Sequence, residues 1–92
     1  MRRAARTDGN QKKIVSALRA AGERVHVTSG LGGGFPDLVT WSRRAGLKLL
    51  EVKDGDKPPS GRKLTPAEAL FARLFPVEVV IDVPTAFAAV GL

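Results

Sequence analysis

The chain has no cysteine and no tyrosine, and only one tryptophan and one histidine. Without cysteine there are no disulfides, no zinc–thiolate sites and no thiol nucleophile, and a reducing cytoplasm suits the protein. The lone His26 cannot build a multi-histidine metal centre. Aromatics are 5% of residues, which argues against single-strand binding on a row of stacking rings. No apolar run approaches the ~18 residues that a membrane-spanning helix needs, so no membrane partner is expected. The start, Met1-Arg2-Arg3-Ala4-Ala5-Arg6, is basic but runs into no apolar stretch, so it does not read as a secretory signal.

What is present is positive charge on a small chain. Lys and Arg number 15 against 9 Asp and Glu, a net charge of +6 over 92 residues. A polyanion is the expected partner, nucleic acid first. The length allows one domain with a single modest core. Residues 1–6 read as a flexible basic arm and residues 7–92 as one domain.

The pattern along that domain is α-β-β-β-α-β-α. Asp8 followed by Gln11 predicts a capping box, and Ile14, Val15 and Leu18 with Ala17 and Ala21 form one helical stripe closed by Gly22. Arg24–Thr28 alternates as a strand. Gly30–Gly34 is a loop, Asp37–Trp41 a second strand, 43–46 a turn and Leu47–Lys53 a third strand. The second and third strands are expected to form an antiparallel hairpin. Residues 54–63 form a surface loop. Thr65-Pro66-Ala67-Glu68 predicts a capped helix whose buried face is Leu70, Phe71, Leu74 and Phe75, stopped by Pro76. Val77–Val83 is a fourth strand, and Pro84-Thr85 opens a last helix. The class is α/β in the broad sense (α+β), a central mixed four-stranded sheet flanked by helices.

The candidate chemistry lies in Pro36-Asp37 and Glu51-Val52-Lys53. On a strand Glu51 and Lys53 point to one face, and Asp37 begins the neighbouring strand. Two adjacent carboxylates repel unless a cation lies between them. Mg²⁺ suits Asp37, Glu51 and the Val52 backbone carbonyl, with water filling the remaining positions. Such a cation neutralises charge on a phosphodiester and acidifies a water, while Lys53 orients the nucleophile and stabilises developing charge. The glycines before Phe35 leave room for a nucleic-acid backbone. Lys57, Arg62 and Lys63, which follow the third strand, with Arg43, Arg44 and Lys12, are candidate DNA contacts.

Gly34-Phe35-Pro36-Asp37-Leu38, Leu49-Leu50-Glu51-Val52-Lys53 and Leu64-Thr65-Pro66 before a helix, taken in order, resemble the VRR-NUC branch of the PD-(D/E)xK nucleases. The likeness is greatest to the small stand-alone forms of phages and bacteria, and spans roughly residues 7–83. It implies a restriction-endonuclease-like αβββαβ core. It also implies a Mg²⁺- or Mn²⁺-dependent DNA endonuclease acting on duplex, flapped or branched DNA such as Holliday junctions. A homodimer is implied as well, in the cytoplasm of a bacterium or a phage-infected host. Two positions depart from the pattern. The glutamate many relatives carry in the first helix has no counterpart, the nearest residues being Asp8, Asn10 and Gln11. Asn10 is the candidate to hold a metal ligand through water. A glutamine frequent in the later helix is also missing, and Glu68 and Ala69 stand in that region.

Plainer readings exist for each feature. Asp37 after a proline is a common turn residue, Glu51 and Lys53 form an exposed pair on many strands, and Asp8 and Gln11 serve as simple caps. Trp41 and Phe71 read as core, and His26 as a partly exposed strand residue. The apolar neighbours Leu49, Leu50 and Val52 favour the site reading, because ionic groups on a buried strand need a reason. A non-catalytic DNA-binding module on the same fold is the rival function.

Overall fold

The computed structural model describes residues 8–92. The basic arm expected over residues 1–6 lies outside the described residues. The first helix, α1 (Gln11–Ala20), buries Ile14, Val15 and Leu18, as their spacing predicts. The expected Asp8–Gln11 capping box does not form. Asn10 occupies the N-cap without a side-chain cap bond. Its amide donates instead to the backbone carbonyls of Lys53 at 3.1 Å and Ile81 at 2.8 Å. Gln11 is buried and donates to Ser29 Oγ at 3.2 Å. Partners distant in sequence displace the local cap.

Strands β1 (Arg24–Val27), β2 (Leu38–Ser42) and β3 (Gly46–Val52) form an antiparallel meander. Strand β4 (Val77–Val80) joins β3 in parallel, so the sheet order is β1-β2-β3-β4. The protein is thus α+β, with a mixed four-stranded sheet flanked by helices. A parallel neighbour requires a crossover, and α2 (Pro66–Leu74) supplies it after a 3₁₀ turn at Pro59–Arg62. The predicted capping box at α2 is present. Thr65 Oγ1 accepts from the Glu68 N–H at 3.2 Å, and Glu68 Oε1 accepts from the Thr65 N–H at 2.9 Å. β4 is shorter than expected because Asp82 leaves the strand to cap α3 (Val83–Ala89), reciprocally with Thr85.

Side chains alternate across each strand, and direct partners share a face. On one face Leu38, Leu50, Val52 and Val80 meet α1 and α3, whose Ile14, Leu18, Ala86 and Val90 complete the core. On the other face fall Val39, Trp41, Leu47, Leu49, Glu51 and Val79. Away from the buried Glu51 that second face is open, and two expectations are overturned. Trp41 is 45% exposed rather than core. The α2 face expected to be buried is exposed at Leu70 (55%), Leu74 (70%) and Phe75 (48%). A single small core is filled by α1 and α3, leaving α2 at the margin. There Phe71 meets Phe35 edge-on at 5.2 Å and stacks on Phe75 at 4.4 Å. No helix among the described residues is long and apolar enough to cross a membrane.

Candidate active site

The open end of the β2–β3 hairpin holds the predicted carboxylates. Continuing the register past Leu38↔Leu50 sets Asp37 opposite Glu51. The entry to β2 is fixed from β1. Thr28 N donates to the Asp37 carbonyl at 2.7 Å, and Thr28 Oγ1 donates to the Pro36 carbonyl at 2.7 Å. Asp37 Oδ2 accepts from the Val52 N–H at 2.8 Å, which ties the side chain to β3. Within a strand a residue's N–H and C=O point to the same side, so the Val52 carbonyl also faces the β2 side. The neighbouring Lys53 N–H turns the other way, to Val80 O at 2.9 Å.

Glu51 is 4% exposed and Lys53 is 9% exposed, so both are deep in the fold. The Lys53 ammonium lies 2.8 Å from Glu68 Oε1 and 3.7 Å from Glu51 Oε2. Asp37, Glu51, Lys53 and Glu68 line a cavity of about 240 Å³, with Asp8, Lys57, Gly61 and Thr65 completing its wall. Residues from β2, β3, the loop after β3 and the first turn of α2 therefore converge on one hollow.

Charge in this hollow is unevenly held. Burial, reinforced by the adjacent Asp37 carboxylate, pushes Glu51 up to about 9. Burial also raises Asp37, against the pull of the Val52 N–H and of a hydrogen bond with Glu51. Burial alone would lower Lys53, but the hydrogen bond and charge of Glu68, with Glu51, carry it above its usual value. Glu68 moves the other way. Burial raises it, but Lys53 and the Thr65 N–H outweigh that and leave it below the ordinary carboxylate range. At neutral pH the Asp37–Glu51 pair retains a proton, and Lys53 and Glu68 form the charged pair.

Among the described residues, no three His, Cys, Asp or Glu converge as a ready cation cage. Asp37 and Glu51 form a pair, and Glu68 is turned to Lys53. That donor set fits a hydrated Mg²⁺, which commonly takes one or two carboxylates and keeps several waters. Burial and the Asp37 charge together hold a proton on Glu51, and a divalent cation between the two carboxylates would offset both.

The other predicted positions divide. Lys57 is on the cavity wall, 3.4 Å from Asp8 Oδ1. Arg62 is in the adjoining 3₁₀ turn with its Nε buried and unpartnered, and Lys63 follows it, exposed. Arg43 and Arg44 are in the β2–β3 turn, at the far end of the hairpin from Asp37 and Glu51. Arg44 is engaged there, donating to Glu23 Oε2 at 2.9 Å and to the Val90 carbonyl at 3.1 Å. Lys12 is exposed on α1, against the opposite face of the sheet. Asn10, the candidate to hold a metal ligand through water, is placed elsewhere. It does not line the carboxylate cavity but a separate hollow of about 280 Å³ with Lys13, Asp54 and Asp82, and its amide holds the Lys53 backbone.

Two site residues were missed from sequence. Glu68 looks like a cap and is one, but the same oxygen also binds Lys53. Asp8 resembles a cap for α1 and instead lines the cavity. The Gly30–Gly34 loop also has a structural use beyond openness. Gly34 has φ +84, and a Cβ there would strike the Ala67 carbonyl in the first turn of α2. Comparison of the chain with protein-family models, curated proteins and solved structures finds no match.

Proposed function

We propose that this protein is a Mg²⁺- or Mn²⁺-dependent DNA endonuclease of the VRR-NUC type. The observation that carries the reading is the convergence of Asp37, Glu51 and Lys53 on one cavity. Glu51 is buried against Asp37 and raised to about 9. Paired carboxylates forced to share a proton mark a functional site more often than a structural one.

In this reading Asp37, Glu51 and the Val52 carbonyl hold the cation. A divalent ion there supplies Lewis-acid chemistry to a phosphodiester. Lys53, already 9% exposed and fixed by Glu68, orients the attacking water and stabilises charge developing on the phosphate. Lys57 on the cavity wall, with Arg62 and Lys63 beside it, engages flanking phosphates. The net charge of +6 supports a polyanionic substrate.

A homodimer is part of the same proposal. Val79, Leu74 and Phe75 are all 44–70% exposed, and together they offer apolar surface that a second copy would cover. The reading is tested by incubating purified protein with labelled duplex, flap and four-way-junction DNA in Mg²⁺, Mn²⁺ or EDTA. Divalent-dependent product is expected. DNA retained without product in either metal would favour the non-catalytic DNA-binding module.

A further inference from the structure

Strands β1 and β2 form a second groove on the open sheet face, away from the carboxylate cavity. It measures about 230 Å³ and is lined by Arg24, Val25, His26, Val39, Thr40 and Trp41. Arg24 is the direct cross-strand partner of Trp41, and His26 that of Val39. Arg24 and His26 are both exposed, and Trp41 is 45% exposed. The position of Trp41 is costly for a residue with no role, because a large indole left half in water forfeits much of its burial energy.

We infer that this groove binds the bases of an unpaired nucleic-acid strand, with Trp41 as stacking surface and Arg24 and His26 as backbone contacts. Three observations support it. The lining contains the Arg24 guanidinium, the His26 imidazole as a hydrogen-bonding group and no carboxylate, so an anionic ligand is matched. A flat exposed indole accepts any base face, whereas a duplex keeps its faces stacked inside. Val39 and Trp41 share a face of β2 and Asp37 immediately precedes that strand, so Trp41 lies about 13 Å from Asp37 at ~3.3 Å per residue. That span covers about four stacked nucleotides at ~3.4 Å each, and fewer in a stretched strand. A strand held at Trp41 can therefore run to the carboxylate cavity. A second copy of this chain is the poorer occupant of the groove, since a partner of net charge +6 brings more cations to Arg24. The inference rests on the reading of the protein as DNA-binding, but not on cleavage.

Trp41 is the single tryptophan, so intrinsic fluorescence reports on this groove alone. The full chain is titrated in EDTA with a short unpaired deoxyoligonucleotide and with the same sequence as a blunt duplex. The expected result is Trp41 quenching by the unpaired strand at concentrations where the duplex gives little. Anisotropy of the labelled oligonucleotide is expected to show Trp41→Ala weakening binding by roughly fivefold to a hundredfold, as loss of one stacking platform does. Trp41→Phe is expected to recover most of it. Binding that leaves the fluorescence unchanged, or equal affinity for Trp41→Ala, overturns the inference. A blue shift that grows with protein concentration and doubling mass, without oligonucleotide, overturns it in favour of a second copy. Quenching without any metal-dependent cleavage would leave this inference standing and remove only the nuclease reading.

Discussion

Glu51 keeps its proton to about 9 in the folded protein, against an ordinary value of 4.5. Between those limits the folded state binds more protons than the unfolded state, so stability falls as pH rises. Asp37, also raised, acts in the same direction, and Glu68, lowered, opposes them. Thermal unfolding in EDTA is therefore expected to show Tm declining from about pH 5 to pH 9. Glu51→Gln removes the charge that must not form and is expected to be the more stable protein at pH 8. The gain is on the order of 1 kcal/mol or more, about 4–8 °C for a domain this size. A Tm that is flat with pH, or lower for Glu51→Gln than for wild type at pH 8, would show that the carboxylates do not strain one another. Cation addition at pH 8 is expected to raise wild-type Tm and to leave Glu51→Gln nearly unchanged, because the ion replaces the shared proton.

The helix that closes the cavity is held by little more than its cap and its ring contacts. α2 has no buried residue, and its first turn depends on Thr65, Glu68 and the absence of a side chain at Gly34. Thr65→Ala is expected to cost about 1 kcal/mol in urea unfolding, as lost N-caps do. Gly34→Ala is expected to cost more, because it adds left-handed strain to a collision with Ala67. By contrast Leu50→Ala, on the covered face, is expected to cost about 2–5 kcal/mol. If Gly34→Ala proves neutral, the close approach of the glycine loop to α2 is not a constraint on the fold. These elements also show what could be read without coordinates. The order and type of all seven, the β2–β3 hairpin and the α2 capping box follow from local patterns, because periodicity and caps act over a few residues. The Asp37–Glu51–Lys53 cluster was legible for the same reason, since strand alternation fixes the face of each. Burial was legible for the α1 stripe but not for α2 or for the outer face of the sheet. Leu70, Leu74 and Trp41 look like core residues, and which face of a sheet is covered depends on how many helices the chain can spare. The double role of Glu68 and the redirected Asn10 were hidden too, because their partners Lys53 and Ile81 are distant in sequence.

One covered and one open sheet face make this molecule look like half of a layered structure. Its open face combines the carboxylate cavity, the Arg24–Trp41 groove and the apolar surface of Val79 and the end of α2. Light scattering is expected to give a dimer that Leu74→Glu or Phe75→Glu converts to monomer, with helical content by circular dichroism unchanged. A wild-type monomer at all working concentrations would remove the second copy from the proposal. The most direct measurement is cleavage of duplex, flap and junction DNA in Mg²⁺, Mn²⁺ or EDTA, with wild type beside Lys53→Ala, both purified free of host nucleases. Divalent-dependent product from wild type, reduced at least about 100-fold in Lys53→Ala, is the predicted result. Equal cleavage by the two proteins, or none by wild type in any metal, would contradict a nuclease built on Asp37, Glu51 and Lys53.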